Sequence, residues 1–172
     1  MNDPAFLAYA LVGAVVLQRL GELWLSRQNT IYLLANGGKE VGGGHYPLFV
    51  ILHGSWLIAL TYWIWSMTPV TNLSLIIVFL ILQAGRVWVI SALGKYWTTR
   101  IIVDDKAPLI KSGPYRFVRH PNYIIVILEI GVLPLALGAW WIAIIFSILN
   151  GVLITYRIRI EDAANQARSK LT

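Results

Sequence analysis

The fold turns on one stretch, YIIVILEIGVLPLALGAWWIAIIFSILNGVLITY, residues 123–156. Glu129 is its sole charged residue, and its 34 residues far exceed the ~20 needed to cross a hydrocarbon core about 30 Å thick. Pro134, Gly138 and the pair Trp140-Trp141 break it near the middle. Proline disfavours helix continuation, and paired tryptophans suit a membrane–water boundary. The stretch therefore reads as two antiparallel helices, 123–136 and 139–157, joined by a very tight turn.

Upstream, residues 5–25, 47–66 and 72–93 are apolar runs of 21, 20 and 22 residues. Each is long enough for one crossing at 1.5 Å per residue. The sequence thus predicts an all-α integral membrane protein, a single domain over 1–172 with about five transmembrane helices. The first run lacks a basic leading segment and carries Arg19 and Glu22, so it reads as a span and not as a cleavable signal. Composition agrees: 58% of residues are hydrophobic and 13% charged, with mean hydropathy +0.67. Soluble domains average roughly 45–50% and about 25%, so lipid must be part of the solvent. The absence of cysteine removes thiolate nucleophiles and thiolate metal sites, and no metal centre is expected.

The net charge of +6 has a topological meaning and does not point to nucleic acid. Of 14 Lys and Arg residues, Arg19 and Arg86 lie within spans, and the other 12 all fall in the loop after helix 1, the loop after helix 3 or the C-terminal tail. The N-terminus, the 67–71 turn and the 137–139 turn carry none. Five spans make these groups alternate sides as observed only if the long stretch is split. The expected orientation is N-terminus outside and C-terminus in the cytoplasm of a plasma (inner) membrane.

Ionisable residues recur at one depth. Arg19, Glu22, His53, Arg86 and Glu129 all lie within two turns of the inner end of their spans, roughly 5–10 Å from the boundary. Charges inside a span are costly and usually face a cavity or one another. This layer predicts a polar chamber open to the cytoplasm. Arg19 and Glu22, spaced i, i+3, can pair locally, whereas Arg86 and Glu129 have no partner on their own helices. On helix 5, Asn150, Arg157 and Glu161 share one face. The glycine-rich run 37–44 reads as a flexible loop, and His45 and Tyr46 as interfacial anchors.

The loop 94–122 spans 29 residues, more than a connector needs. It ends Leu109-Ile110-Lys111-Ser112-Gly113-Pro114-Tyr115-Arg116-Phe117-Val118-Arg119-His120-Pro121-Asn122-Tyr123. Pro121 suits the first turn of a helix. Tyr115, Arg119, His120 and Tyr123 place stacking surfaces, a fixed cation and a titratable donor on a short segment, able to hold a charged, aromatic cofactor at the membrane surface.

The string GPYRFVRHPNY, followed by a hairpin and RIRIED, resembles the isoprenylcysteine carboxyl methyltransferase family over about residues 80–165, including GRVWVISALGKYWTTRI. HYPLFVILHGSWL, residues 45–57, resembles bacterial members linked to type III polyketide synthases, which O-methylate alkylpyrones. The resemblance implies a membrane methyltransferase using S-adenosylmethionine, held by Leu109, Ile110, Gly113, Tyr115, Arg119, His120, Tyr123 and Glu161. It implies a lipophilic small-molecule acceptor, entering from membrane lipid, with a carboxylate or acidic hydroxyl as the methylated group. Arg86, Arg157 and Glu129 are the candidate catalytic residues, an arginine orienting the acceptor anion. The alternatives are a nicotinamide-dependent lipid reductase, since RHPNY also occurs in steroid-reductase-like enzymes, and a non-enzymatic transporter.

Overall fold

The computed structural model describes residues 4–104 and 110–169. Five helices dominate: α1 Pro4–Ala35, α2 Tyr46–Ser66, α3 Leu73–Leu93, α4 Pro121–Ala136 and α5 Trp140–Ser169. Four of them (α1, α2, α3 and α5) are long and apolar enough to cross a membrane. The 16 residues of α4 cover about 24 Å, and α4 is the helix most surrounded by others. Ile130 and Leu133 of α4 are fully buried in one cluster with Trp56 and Leu60 of α2 and Ile154 of α5. Leu17, Ile58, Trp65, Ile81 and Val152 instead point outward, as lipid-facing side chains must when the surrounding medium is apolar.

The long apolar stretch divides where Pro134 and Gly138 indicate. Pro134 sits in the last turn of α4, and Gly138 adopts φ +74° in the link to α5. A Cβ there would lie 3.4 Å from the Val70 carbonyl oxygen, so glycine also permits the close approach of the 67–72 turn. That turn is bound in place by the Asn72 N–H donating to the Ala136 carbonyl at 2.9 Å, while Asn72 Oδ1 caps α3 at Leu75 N. Both turns therefore occupy one end of the bundle.

At the opposite end the structure adds elements beyond the predicted spans. α1 runs ten residues past Leu25, and α5 runs on well past Tyr156. The glycine-rich segment, read above as a flexible loop, contributes strand β1, Lys39–Val41, which pairs antiparallel with β2, Ile101–Val103. This short ribbon ties the loop after α1 to the loop after α3. It needs Gly38, where a Cβ would meet Ile102 Cγ2 at 2.8 Å and the Leu33 carbonyl oxygen at 2.9 Å.

Candidate functional site

The inner half of α1 is the platform for the long loop. Asn29 Nδ2 donates to the carbonyls of Gly94 and Trp97, at 3.1 and 2.7 Å, and Ser26 Oγ accepts from Thr99 N at 2.8 Å. Arg100 pairs with Glu40 at 2.9 Å and lies 4.9 Å from the Tyr46 ring centroid. Further along, Gly113 takes φ +57° beside Trp88 and Ala92 of α3. A side chain there would strain the turn that delivers Tyr115 to the site.

The predicted polar layer exists, as one closed network. Arg86 grips Glu22 through two nitrogens, Nε at 2.5 Å and Nη2 at 2.7 Å, and reaches Glu129 with Nη1 at 2.8 Å. Arg19 bridges the same two carboxylates, at 2.8 Å to Glu22 and 2.7 Å to Glu129. Gln18 and Gln83 each donate one more bond, to Glu22 and Glu129 respectively, at 2.9 Å. Two cations thus meet two anions, and the cluster carries no net charge. Such an arrangement is tolerable in a low-dielectric setting because each cation is paired with both carboxylates, although Arg19 Nε has no hydrogen-bond partner among the described residues.

Two chambers open at this end of the bundle. The larger, of about 260 Å³, lies among α1, α2, α3, α4 and α5, walled by Val16, Leu20, Leu23, Val50 and Leu57 and floored by Arg19, Glu22, Arg86 and His53. Glu129 stands behind this floor, away from the chamber, and is 1% exposed. The smaller, of about 190 Å³, is framed by the ribbon and the long loop, with Tyr115, Arg119, His120 and Glu161 on its wall. Trp97, Thr98, Asn122, Tyr123 and Arg157 line both chambers, so the two spaces meet at these side chains.

At this junction Arg157 Nε donates to the Tyr123 hydroxyl at 2.8 Å, and that hydroxyl donates to Glu161 Oε2. The Arg157 guanidinium also lies 5.3 Å from the Phe49 ring centroid and 5.8 Å from that of Tyr123. His120 stacks on Tyr123 at 5.4 Å and donates from Nε2 to Asp162 at 3.2 Å. Burial, reinforced by the Glu161 carboxylate, pushes the Tyr115 phenol above its usual range, so it stays neutral. Arg19 Nε, Trp97 Nε1 and Asn122 Oδ1 are buried without a hydrogen-bond partner among the described residues, leaving two donors and one acceptor beside the chambers unmet.

Of the residues singled out in the sequence, Tyr115, Arg119, His120, Tyr123, Arg157 and Glu161 therefore converge on the smaller chamber. Ile110 and Gly113 stand outside both linings, Gly113 acting through the backbone, and Leu109 lies outside the described residues. Arg86 reaches the larger chamber but is committed to Glu22 and Glu129. Sequence reasoning missed Phe49, Trp97 and Asn122. Trp97 and Asn122 lie inside the quoted loop, whereas Phe49 has no local signal beyond standing one turn before His53. Tyr46 lines the larger chamber, while His45 packs on Tyr156 at 5.7 Å.

These features define a multi-pass membrane protein with two adjoining chambers at its polar end, one apolar-walled within the bundle and one framed by extramembrane segments. Residues 75–166 match the Isoprenylcysteine carboxyl methyltransferase (ICMT) family. The chain belongs to that family and is a membrane methyltransferase. It is also similar to the uncharacterized protein YpbQ of Bacillus subtilis (strain 168), 37% identical over 164 residues that cover 94% of this chain and 98% of the relative. No solved structure matches the chain. The family match spans the loop, Arg86, Glu129, Arg157 and Glu161. It leaves out α1 and α2, which supply Arg19, Glu22, Phe49 and His53.

Proposed function

We propose that the protein transfers a methyl group from S-adenosylmethionine to a carboxylate or acidic hydroxyl of a lipophilic acceptor, alkylpyrone-like or isoprenylcysteine-like. The observation that carries this reading is the meeting of the two chambers at Tyr123 and Arg157. The donor set of the smaller chamber suits the cofactor. Glu161 can take a ribose hydroxyl or the α-amino group, His120 and Arg119 the carboxylate, and Tyr96, Trp97 and Tyr123 offer ring faces to an adenine or a sulfonium. When bound, S-adenosylmethionine supplies an electrophilic methyl group on a sulfonium that leaves as a neutral thioether.

The chain's own work is alignment, water exclusion and charge placement. The gap walled by Leu20, Leu23, Val50 and Leu57 admits an acyl or prenyl chain sideways from the bilayer, leaving its polar head at the junction. Arg157 orients the developing acceptor anion there, since Arg86 is already neutralised by two carboxylates. The orientation that fits is N-terminus outside, with the ribbon and long loop in the cytoplasm of the inner membrane, where the cofactor is made available.

The test is calorimetric titration of detergent-purified protein with S-adenosylhomocysteine and, separately, NADPH, for wild type and Glu161→Ala. Micromolar-range binding of S-adenosylhomocysteine that the variant loses supports the reading. Binding of NADPH alone would move the protein to the lipid reductases.

A further inference from the structure

The turn that delivers Tyr115 to the smaller chamber has a second side. Tyr115 lies in the 3-10 turn Gly113–Arg116, and the Phe117 N–H donates to the Pro114 carbonyl at 3.1 Å. Tyr115 lines the chamber, whereas Arg116, Phe117 and Val118 are exposed and line neither chamber. The turn is seated on the outer side of α3, since a Cβ on Gly113 would lie 3.0 Å from Ala92 Cβ and 3.4 Å from Trp88 Nε1. Trp88 is itself half exposed and stands five residues before Leu93, the end of α3, about 7.5 Å inside it. The Phe117 ring lies 6.5 Å from the Trp88 ring, and the Arg116 guanidinium lies 4.5 Å from the Phe117 ring centroid. The long loop thus returns to the membrane boundary before α4 begins, and an indole and a phenyl ring meet lipid there.

These rings stand among cations without counterions. No acidic residue falls between positions 106 and 128, a stretch that holds Lys111, Arg116 and Arg119. None of these three forms an ion pair among the described residues. Positive charge beside apolar rings, at the depth of phospholipid headgroups, complements an anionic phospholipid. Guanidinium and ammonium groups take the phosphate, and the rings lie along the upper acyl chains. Phosphatidylcholine fits less well, because its choline cation meets the same positive segment. We propose that Lys111, Arg116, Phe117 and Trp88 form a binding site for an anionic phospholipid such as phosphatidylglycerol, and that its occupancy steadies Tyr115 and Arg119 at the wall of the smaller chamber. A headgroup on Arg116 holds the residue between these two chamber-lining side chains. This second effect rests on the cofactor reading of that chamber, and the lipid site does not.

The test takes the full chain in detergent and titrates it with phosphatidylglycerol or phosphatidylcholine bearing brominated acyl chains, which quench tryptophan on contact. Subtracting the Trp88→Phe trace isolates Trp88. Phosphatidylglycerol should quench this signal saturably and at lower concentration than phosphatidylcholine. Lys111→Gln combined with Arg116→Gln should raise the phosphatidylglycerol midpoint roughly 25-fold, about fivefold per cation. Its melting temperature and its phosphatidylcholine midpoint should stay as in wild type. Phe117→Ser should weaken both lipids. In nanodiscs, S-adenosylhomocysteine should bind wild type several-fold tighter with phosphatidylglycerol present than in phosphatidylcholine alone, and the double variant equally in both. Equal midpoints for the two lipids, a wild-type midpoint in the double variant, or displacement by glycerol phosphate at the same concentration would each overturn the lipid site. Equal S-adenosylhomocysteine affinity of wild type in the two discs would overturn the coupling to the chamber. Absence of S-adenosylhomocysteine binding in every disc would remove the cofactor reading and the coupling with it, while the quenching titration still decides the lipid site.

Discussion

Arg157 Nε donates to the hydroxyl of Tyr123 at 2.8 Å, so a cation and a ring that each border both chambers are held as a unit. Glu161 completes the relay by accepting from the same hydroxyl. A change on one side of the wall is therefore felt on the other.

Tyr123→Phe tests that coupling. It removes the acceptor of Arg157 and the donor to Glu161 while keeping the ring. Losing a hydrogen bond from a neutral hydroxyl to a charged group in a half-buried site costs about 1.5–3 kcal/mol, so S-adenosylhomocysteine affinity should weaken by roughly tenfold or more. Calorimetry showing an unchanged Kd would mean that the relay does not hold the cofactor.

Arg86 and Arg157 should separate by phenotype. Arg86→Ala strands Glu22 and Glu129 beside one remaining cation, and breaking a buried pair typically costs 3–5 kcal/mol. A lower melting temperature in detergent, or failure to purify folded protein, is expected. Arg157→Ala removes a group that bonds one neutral hydroxyl. It should melt near wild type and bind S-adenosylhomocysteine, yet lose methyl transfer by ~100-fold.

Asn150 is fully buried in α5, and neither its Oδ1 nor its Nδ2 has a hydrogen-bond partner among the described residues. Its polar line towards Arg157, legible in the sequence, is interrupted by packing. Asn150→Leu exchanges an unmet amide for an apolar group of similar size and should raise stability by about 1 kcal/mol. Thermal unfolding in detergent is the measurement, and a lower melting temperature would show that the amide has a partner in the membrane.

Gly38→Ala should loosen the ribbon. The added Cβ would lie 2.9 Å from the backbone oxygen of Leu33 and 2.8 Å from Ile102, and such overpacking costs about 1–3 kcal/mol. Faster proteolysis within the 94–122 loop and weaker S-adenosylhomocysteine binding should accompany each other. Unchanged cleavage would mean that the ribbon does not restrain the loop.

The Tyr115 phenol is raised by burial, with Glu161 adding to it, while in the unfolded chain it ionises near pH 10. Below pH 10 both states are protonated and the stabilisation is fully present. Above it only the unfolded chain releases the proton, so stability falls until the folded pKa is passed. Tyr115→Phe should flatten part of the alkaline loss of stability, read as melting temperature between pH 9 and 11. An identical slope in wild type and variant would show Tyr115 to be solvent-accessible.

How much was legible depends on the signal each feature leaves. Helix number, the break at Pro134–Gly138 and the depth of Arg19, Glu22, Arg86 and Glu129 follow from hydropathy and the rise per residue, which are one-dimensional quantities. α1 outruns the apolar span 5–25 because hydropathy stops near Leu25, whereas helix formation continues through Ser26 and Asn29. These polar residues are retained in the helix because they bind the loop backbone. β1 left no mark, because three residues of strand are stabilised only by a partner 60 positions away.

The sequence by itself therefore determined a membrane bundle, the layer at which charge collects, and the loop motif, while Glu161 as a partner of that loop is what the family resemblance implies. The first three are set by how far a group can lie from water or by residues a few turns apart. Only the tertiary structure decided who pairs with whom. Arg86 could have been read as a free cation until Glu22 and Glu129 were seen to neutralise it. The physical reason is that burying an ion or a polar atom constrains it to have a partner without naming that partner. Helix packing makes the choice, by bringing α1, α3 and α4 close enough for side chains up to 110 residues apart to touch.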